Sequence, residues 1–561
     1  MGTAQAAGTV FDPRWESRRA SRFSRLRWTW ATLAVAVPPL LALAVFLAHS
    51  FAFRGWLVDD AGISFAYARS LAEGHGLVAQ PGATPVEGFS NPLWTLLLAA
   101  LFAMGAFDPA WTPKALSVAL VAATFGVVAW GRIRSGGARS AAAAVTLLLL
   151  SLNAGFVIWT SSGLENPLLA FLAALSCVVA SAALDPSRRL EAAAGVVAAL
   201  LALTRPDAVV YAAAFPLLLA STRGASGAAA RPTIASHARF ALGFLPPWGG
   251  YLLFRRLYFG DWLPNTYHAK EHPSLLSLVD AAKLTDLLRA AAGRMALPAM
   301  ALLFLGGGWA IAAGRAPARL RSVLVHLALA AVAYLVMPVD WMGEHRFATP
   351  FFLFFAWSLA EVGLVLVESA GRFRRMAAVG AAAVAAVLVI ETALVSVPRS
   401  SAFAASPIVP FAKVESFGAD GYNRLAQILG VAGASLMTPD VGGTLFGSTL
   451  RVYDLVGLCD PVAARTLTHD TAAFRDYVFA TARPTFIHVH GAWAQWAALK
   501  ADPRLDRDYA PLWEVWPSDG GSEPWSADYV RRDALARTGD PMRLEALRRA
   551  FVAMGLHRLN P

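Results

Sequence analysis

Charged residues are scarce in this chain of 561 residues: Asp, Glu, Lys and Arg together make up 15%, against 57% hydrophobic residues. A mean hydropathy of +0.51 excludes an ordinary soluble enzyme. Cysteine occurs only as Cys177 and Cys459, which excludes a disulfide framework and a cysteine metal site. The stretch PDVGGTLFG at 439–447 lacks the GK[ST] ending of a Walker motif, so we interpret it as a turn. The composition that remains is that of a polytopic membrane protein.

Arginine concentrates in short connections between the apolar runs. We expect all six connections to lie in the cytoplasm. The net charge of +11 is therefore interpreted as a signal of membrane topology, and no nucleic-acid partner is expected. The connections share one side only if the apolar stretch 91–107 does not cross the bilayer. This stretch is short for a span and begins at Pro92, so we expect a juxtamembrane or re-entrant helix. The basic connections lie at 18–27, 132–139, 186–189, 222–239, 314–322 and 371–376.

The remaining apolar runs predict about eleven transmembrane helices of roughly 20 residues. The N-terminus is expected inside and the C-terminus outside, with the first span acting as an uncleaved anchor. We divide the chain into a cytoplasmic segment at 1–28, a transmembrane catalytic domain at 29–397 and an extracytoplasmic domain at 398–561. The first outer loop takes up 51–113. The spans are predicted at 29–50, 114–131, 139–157, 164–184, 191–204, 207–221, 239–258, 290–313, 322–339, 348–368 and 376–397.

This topology gathers the unusual polar residues on the outer face. The most informative are the adjacent carboxylates Asp59 and Asp60, where the first span meets the outer loop. A carboxylate there can accept a proton from a water-borne hydroxyl beside a lipid-borne leaving group. The alternative is a capping pair for the next helix, with Asp60 as N-cap. The candidate substrate-binding residues are Tyr67, Arg69, Glu87, Asn91, Glu165, Arg205, Asp207, Asp261, Asn265, Tyr267, His268, Lys270, Asp340, His345 and Arg346.

Several of these residues also have a purely structural interpretation. Glu165 could begin the following helix, and Arg205 could form a local ion pair with Asp207 across a tight turn. Lys270, His345 and Arg346 suit a diphosphate or a phosphate diester, which arginine binds through paired donors and lysine as a point charge. An interfacial patch that snorkels out of the bilayer is the alternative for these three.

A family resemblance rests on several motifs in order. VDDAGISFAYARSLAEGHGL and VEGFSNPLWTLLLA are followed by SSGLENPL, TRPD, GDWLPNTYHAK, DWMGEHRFATP and LRVYDLVGLCDPVAAR. Over residues 50–470 the chain resembles the C-type (GT-C) membrane glycosyltransferases. More narrowly, it is similar to the branch containing the terminal arabinofuranosyltransferase of mycobacterial cell walls.

The resemblance implies a multi-pass protein of the bacterial inner membrane, active on its extracytoplasmic side. A polyprenyl-phosphate sugar would donate its glycosyl group, with inversion, to a hydroxyl of a glycan or glycolipid. An acidic residue of the first outer loop would be the general base, which maps onto Asp59 or Asp60. Lys270, His345 and Arg346, with Arg205 in reserve, would stabilise the phosphate leaving group.

Two further questions are whether the reaction needs a metal and whether another function fits the sequence. Some relatives use a divalent metal near the catalytic carboxylate, but no third carboxylate stands at a dependable spacing here, so we expect no required cofactor. A lipid-linked sugar transporter or flippase is the rival function, since Glu361 lies well inside a predicted span. A non-catalytic glycan-binding scaffold is a third. The sequence shows no internal repeat of the kind typical of transporters.

Beyond residue 398 the apolar runs shorten and Pro and Gly punctuate them, which predicts a soluble α/β domain. We expect strands at 434–440, 450–457 and 484–491, and helices at 422–430 and 471–482. His488 and His490 alternate on the third strand. Such residues are usually hydrogen-bonded or exposed, so we assign no metal site to them.

Overall fold

The computed structural model describes residues 37, 39–130, 137–221, 234–270, 281–338, 340–518 and 520–559. The predicted cytoplasmic segment 1–28 lies outside these residues, as do much of the basic connections at 132–139 and 222–239. The helices of the apolar region are Pro39–Phe53, Asp60–Ala72, Pro92–Ala103, Thr112–Ala129, Gly137–Leu152, Ala154–Thr160, Asn166–Ala182, Glu191–Thr204, Pro206–Ala213, Ala214–Ser221, Ile234–Tyr258, Asn265–His268, Ala282–Ala312, Ala318–Val336, Thr349–Ser369 and Arg374–Ala405.

These helices make the chain a multi-pass membrane protein. Within the described residues, five helices are long and apolar enough to cross a bilayer, or up to six if one bent pair is a single span. The predicted count of eleven is therefore not confirmed and stays a prediction. Several of the remaining apolar helices are short, such as Glu191–Thr204, whose bounds match the predicted span.

One helix occupies the centre of the bundle and another its edge. In the most apolar 18 residues of Arg346–Ser369, 83% of the residues are buried inside the protein. The corresponding share for Gly371–Ala405 is 11%. The exposed side chains of this outer helix include Val379, Ile390 and Leu394. An apolar surface of this extent suits lipid contact. The outer helix continues eight residues beyond the predicted boundary at 397, through Pro398, to Ala405.

The predicted span 139–157 is wrong as one continuous helix. It breaks into Gly137–Leu152 and Ala154–Thr160, which meet at an angle of 71°. The side-chain oxygen of Asn153 accepts a hydrogen bond from the amide of Phe156 (2.9 Å) and caps the second helix. Asparagine competes with helix continuation through such local bonds, which explains the break.

The apolar stretch 91–107 forms only the helix Pro92–Ala103, of 12 residues. At 1.5 Å per residue its length is about 18 Å, well short of the ~30 Å hydrocarbon core. This length supports a helix that does not cross the bilayer. It packs against the neighbouring helix Asp60–Ala72.

The C-terminal part contains a five-stranded sheet with the order β2-β1-β3-β5-β4. Strands β1 and β2 are parallel, β1 and β3 are parallel, and β5 runs antiparallel to both β3 and β4. The three predicted strands and both predicted helices form, while β4 and β5 were not predicted. The strands are β1 Ser435–Thr438, β2 Arg451–Asp454, β3 Phe486–His490, β4 Tyr509–Val515 and β5 Ser526–Arg531. The helices are Phe411–Val414, Glu415–Gly421, Tyr422–Leu429, Gly442–Gly447, Pro461–Thr466, Thr471–Asp476, Tyr477–Ala482, Gly491–Ala497, Pro503–Asp508, Arg532–Ala536, Arg543–Ala553 and Leu556–Leu559.

Candidate active site

The two adjacent carboxylates have different environments. The helix that follows them begins at Asp60, and the residue before it, Asp59, makes no side-chain capping bond. The predicted alternative, a capping pair with Asp60 as N-cap, is therefore wrong. Asp59 is buried, whereas the side chain of Asp60 is 34% exposed.

Asp59 is held by the C-terminal domain. Its two carboxylate oxygens accept hydrogen bonds from the amides of Gly442 (2.9 Å) and Gly443 (2.7 Å). These amides begin the short helix Gly442–Gly447, so the stretch interpreted as a turn is an anion-holding helix start. Burial and the neighbouring carboxylate of Asp440 raise the pKa of Asp59, while the two amides oppose them. Asp59 thus links the start of the helix Asp60–Ala72 to the C-terminal part that contains the sheet.

Asp60 faces a buried arginine. Its Oδ2 lies 3.0 Å from Nη1 of Arg346, whose Nε lies 2.8 Å from Oδ2 of Asp340. The guanidinium carbon is 4.8 Å from the ring centre of Phe347 and 5.8 Å from that of Trp159. Two carboxylates and two aromatic faces therefore fix this cation beside Asp60.

A second buried arginine lies on the same phenylalanine. Arg205 is 4.7 Å from the ring centre of Phe347 and forms ion pairs with Glu165 (2.7 Å) and Asp207 (3.0 Å). The predicted local pair with Asp207 is present. Glu165 does not cap its helix through its side chain, but accepts a hydrogen bond from Asn91 (2.8 Å).

Lys270 completes the cluster. Its side chain is exposed, yet it lies close enough to Asp60, Arg346 and Arg205 to feel their charges. Desolvation by the surrounding protein and the positive charge of Arg346 lower the pKa of Lys270, whereas the negative charge of Asp60 acts to raise it. Among the described residues no carboxylate lies within ion-pair distance of its ammonium group. We call Asp60, Asp340, Arg346, Arg205, Glu165, Asp207, Asn91 and Lys270 the central cluster.

Other predicted site residues join loops and domains instead. Arg255 and Tyr251 donate hydrogen bonds to the buried carboxylate of Glu87. Burial raises the pKa of Glu87, and the charge of Arg255 offsets only part of this shift. The side-chain amide of Asn265 donates to the carbonyl oxygens of Gly457 and Leu458.

Four further predicted site residues, Tyr67, Arg69, Asp261 and His268, also make contacts that join different segments of the chain. Asp261 pairs with His268 and Arg465, both at 3.0 Å. The remaining contacts are those of Tyr67 with the carbonyl of Val86 and of Arg69 with the carbonyl of Phe446.

Tyr267 and His345 lie outside the central cluster. Tyr267 is exposed and contacts the ring of His268 edge-on. His345 Nδ1 lies 2.9 Å from the hydroxyl of Tyr334, and its other nitrogen faces Asp286 at 3.4 Å. Burial, and then the charge of Arg399, lower the pKa of His345 to about 4. A neutral imidazole is a poor partner for phosphate charge, so the prediction that His345 binds phosphate loses support.

Four residues of the site were missed in the sequence. They are the amide donors Gly442 and Gly443 and the aromatic residues Phe347 and Trp159. The double glycine of PDVGG was a usable signal, because glycine permits close approach of a backbone. A Cβ at Gly442 would overlap the backbone of Asp59. The aromatic faces gave no signal among so many apolar residues.

Comparison with known proteins supports the fold. No protein-family model and no curated protein sequence matches the chain. Among solved structures, ArnT from Cupriavidus metallidurans in the apo state has a TM-score of 0.53 at 14% identity, covering 90% of this chain and 98% of that one. ArnT bound to undecaprenyl phosphate gives 0.54 at 13% identity, over 89% and 98%.

A third solved structure is the apo oligosaccharyltransferase of Archaeoglobus fulgidus. Its TM-score is 0.52 at 12% identity, covering 88% of this chain and 74% of that one. These likenesses confirm the GT-C fold expected from the sequence. The arabinofuranosyltransferase branch stays a prediction.

Proposed function

We propose that this protein is a membrane glycosyltransferase that moves a sugar from a polyprenyl-phosphate donor to an acceptor hydroxyl. The observation that carries the proposal is the central cluster, where an accessible carboxylate, Asp60, pairs with Arg346 while Lys270 and Arg205 lie nearby. The fold it shares with ArnT, one structure of which holds undecaprenyl phosphate, adds support. The sequence shows no internal repeat, and Glu361, which suggested the transporter, forms an ion pair with Arg319 at 3.2 Å.

Asp60 is the general base in this proposal. A sugar hydroxyl is a weak nucleophile at neutral pH, and a placed carboxylate accelerates its attack by about 10² to 10⁴. Asp60 has solvent access and one oxygen held by Arg346. Both oxygens of Asp59 are bound by backbone amides, so this residue has the weaker claim.

Lys270, Arg346 and Arg205 stabilise the leaving group. The bond between the anomeric carbon and the donor phosphate oxygen breaks while the acceptor oxygen bonds to that carbon on the opposite face. The acceptor proton passes to Asp60, and the charge passes to the released polyprenyl phosphate. Preorganised cations at this position lower the barrier because they need no reorganisation.

The finer assignments follow the sequence resemblance. We propose arabinofuranose as the sugar, a glycan or glycolipid as the acceptor, and the extracytoplasmic face of a bacterial inner membrane as the location. The base mechanism of Asp60 requires no metal at the central cluster.

A donor panel tests the proposal. Purified protein is incubated with polyprenyl-phosphate sugars and a glycan acceptor, and mass spectrometry follows the released polyprenyl phosphate and the product linkage. We expect one donor class to be consumed with inversion. Intact donor moving across a proteoliposome bilayer without release would instead indicate a flippase and overturn the proposal.

A further inference from the structure

A second cluster of polar side chains lies at one edge of the C-terminal sheet. Strands β1 and β3 are parallel neighbours, so their carboxyl ends meet at the same edge. Asp440 follows β1, and His490 is the last residue of β3. His488 precedes it by two positions and therefore faces the same side of the sheet.

The three side chains converge. One possible ligand atom from each of Asp440, His488 and His490 lies within 4.8 Å of the others. Nε2 of His490 is 2.9 Å from Oδ2 of Asp440. Ligands bound at about 2 Å around a tetrahedral metal stand roughly 3.3 Å apart, so small side-chain rotations suffice.

His488 supplies an independent indication of a ligand. The residue is fully buried, and its Nδ1 bonds the carboxylate of Asp528 at 2.7 Å, directly opposite on β5. An ionised carboxylate only accepts, so Nδ1 is the donor in this bond and Nε2 is the ring nitrogen that faces a ligand. Nε2 has no hydrogen-bond partner among the described residues. Buried polar atoms without partners are uncommon and call for an explanation.

The bond to Asp528 is also the arrangement that supports a metal ligand. Histidine ligands almost always donate their second nitrogen to a carboxylate or carbonyl, which orients the ring and raises its basicity. Asp528 is itself bound by the hydroxyl of Tyr422. Two imidazoles and one carboxylate form a ligand set that suits zinc, with a fourth position for water.

We propose that Asp440, His488 and His490 bind a zinc ion at the junction of the two domains. Asp440 stands two residues before Gly442, whose amide holds Asp59. A metal bond to Asp440 would therefore fix the loop that grips the first outer segment. This role is separate from the glycosyl transfer proposed at Asp60.

Metal analysis of the full-length protein tests the site. The protein is purified in detergent with its affinity tag removed, stripped with a chelator, incubated with Zn²⁺ and desalted. We expect one zinc per chain, and a melting temperature that rises on zinc addition because zinc binds the folded state. Co²⁺ in place of zinc should give visible d–d absorption that zinc abolishes.

Three variants locate the ion. His490→Gln and Asp440→Asn should each weaken zinc binding at least about tenfold. His469→Gln is the matched control, because His469 is an exposed histidine of the same domain. If one of the variants His490→Gln and Asp440→Asn fails to fold, the other variant and the wild-type cobalt spectrum still test whether the site binds metal. A wild-type protein that retains no zinc, or cluster variants that retain as much as the wild type, would overturn the proposal.

Discussion

Arg346 connects the carboxylate proposed as base to the rest of the central cluster. It contacts Asp60 and Asp340 and lies over Phe347. Lysine lacks the planar fork that makes these contacts together. We expect Arg346→Lys to reduce kcat by about 10² to 10³, the usual effect of removing one preorganised donor.

The measurement is steady-state transfer with the donor found in the panel. Arg372→Lys is the control, because Arg372 is exposed and follows the opposite end of the helix Thr349–Ser369. Wild-type kcat in Arg346→Lys would show that Arg346 takes no part in the reaction.

We expect His345 to make the stability of the protein depend on pH. Its pKa is lowered to about 4 by burial, against an ordinary value near 6.5. Between these values the unfolded chain binds a proton that the folded chain does not, so stability falls as pH drops from 6.5 towards 4. From pH 7 to pH 5 this loss amounts to about 2 kcal/mol.

His345→Gln removes the titrating group, so melting temperatures at pH 7 and pH 5 should differ less than in the wild type. His237→Gln, at an exposed position near the start of the helix Ile234–Tyr258, is the control. An unchanged pH dependence in His345→Gln would contradict the assignment.

At this scale the sequence could not separate the two adjacent carboxylates. It predicted Asp60, Arg346, Lys270 and Arg205 on one face of the membrane, and the structure brings these four residues close together, while the face itself stays a prediction. Asp59 and Asp60 are adjacent, and successive side chains of a helix start point about 100° apart. Only the glycine amide that lies 383 positions away in the chain shows that Asp59 points towards the C-terminal domain. No local pattern contains that information.

Among the elements, the short helix Gly442–Gly447 joins the two domains. We expect Gly442→Ala to lower stability by about 1 to 3 kcal/mol or more, because a Cβ there would overlap the backbone of Asp59. Thermal unfolding in detergent measures the change. Gly380→Ala, which has open space at its Cβ inside a helix, should be neutral or slightly stabilising. Equal melting temperatures for the two variants would show that the junction is not tightly packed.

Predictions of single elements in the apolar runs had mixed success. The helix Glu191–Thr204 has its predicted bounds, whereas the break at Asn153 was hidden inside a continuous apolar run. Strand β4 escaped prediction because it carries Pro511, which is tolerated only at a sheet edge, and a register shift follows that proline.

At the scale of the whole molecule, the central prediction is sidedness. Arg372 lies in a basic connection predicted in the cytoplasm, whereas the exposed residue Glu73 follows the helix Asp60–Ala72, which is predicted on the outer face. In a background carrying Cys177→Ala and Cys459→Ala, we expect a membrane-impermeant thiol reagent to label Glu73→Cys in intact cells. Arg372→Cys should react only after lysis. The reverse pattern would place the central cluster in the cytoplasm.

The most direct measurement compares Asp60→Asn with Asp59→Asn in single-turnover transfer and thermal unfolding. We predict that Asp60→Asn lowers the rate of transfer by about 10² to 10⁴ at an unchanged melting temperature. Asp59→Asn should lower the melting temperature while its folded fraction retains turnover, because an amide group would face the amide donors of Gly442 and Gly443. Wild-type transfer by Asp60→Asn, or loss of transfer in a fully stable Asp59→Asn, would contradict the account.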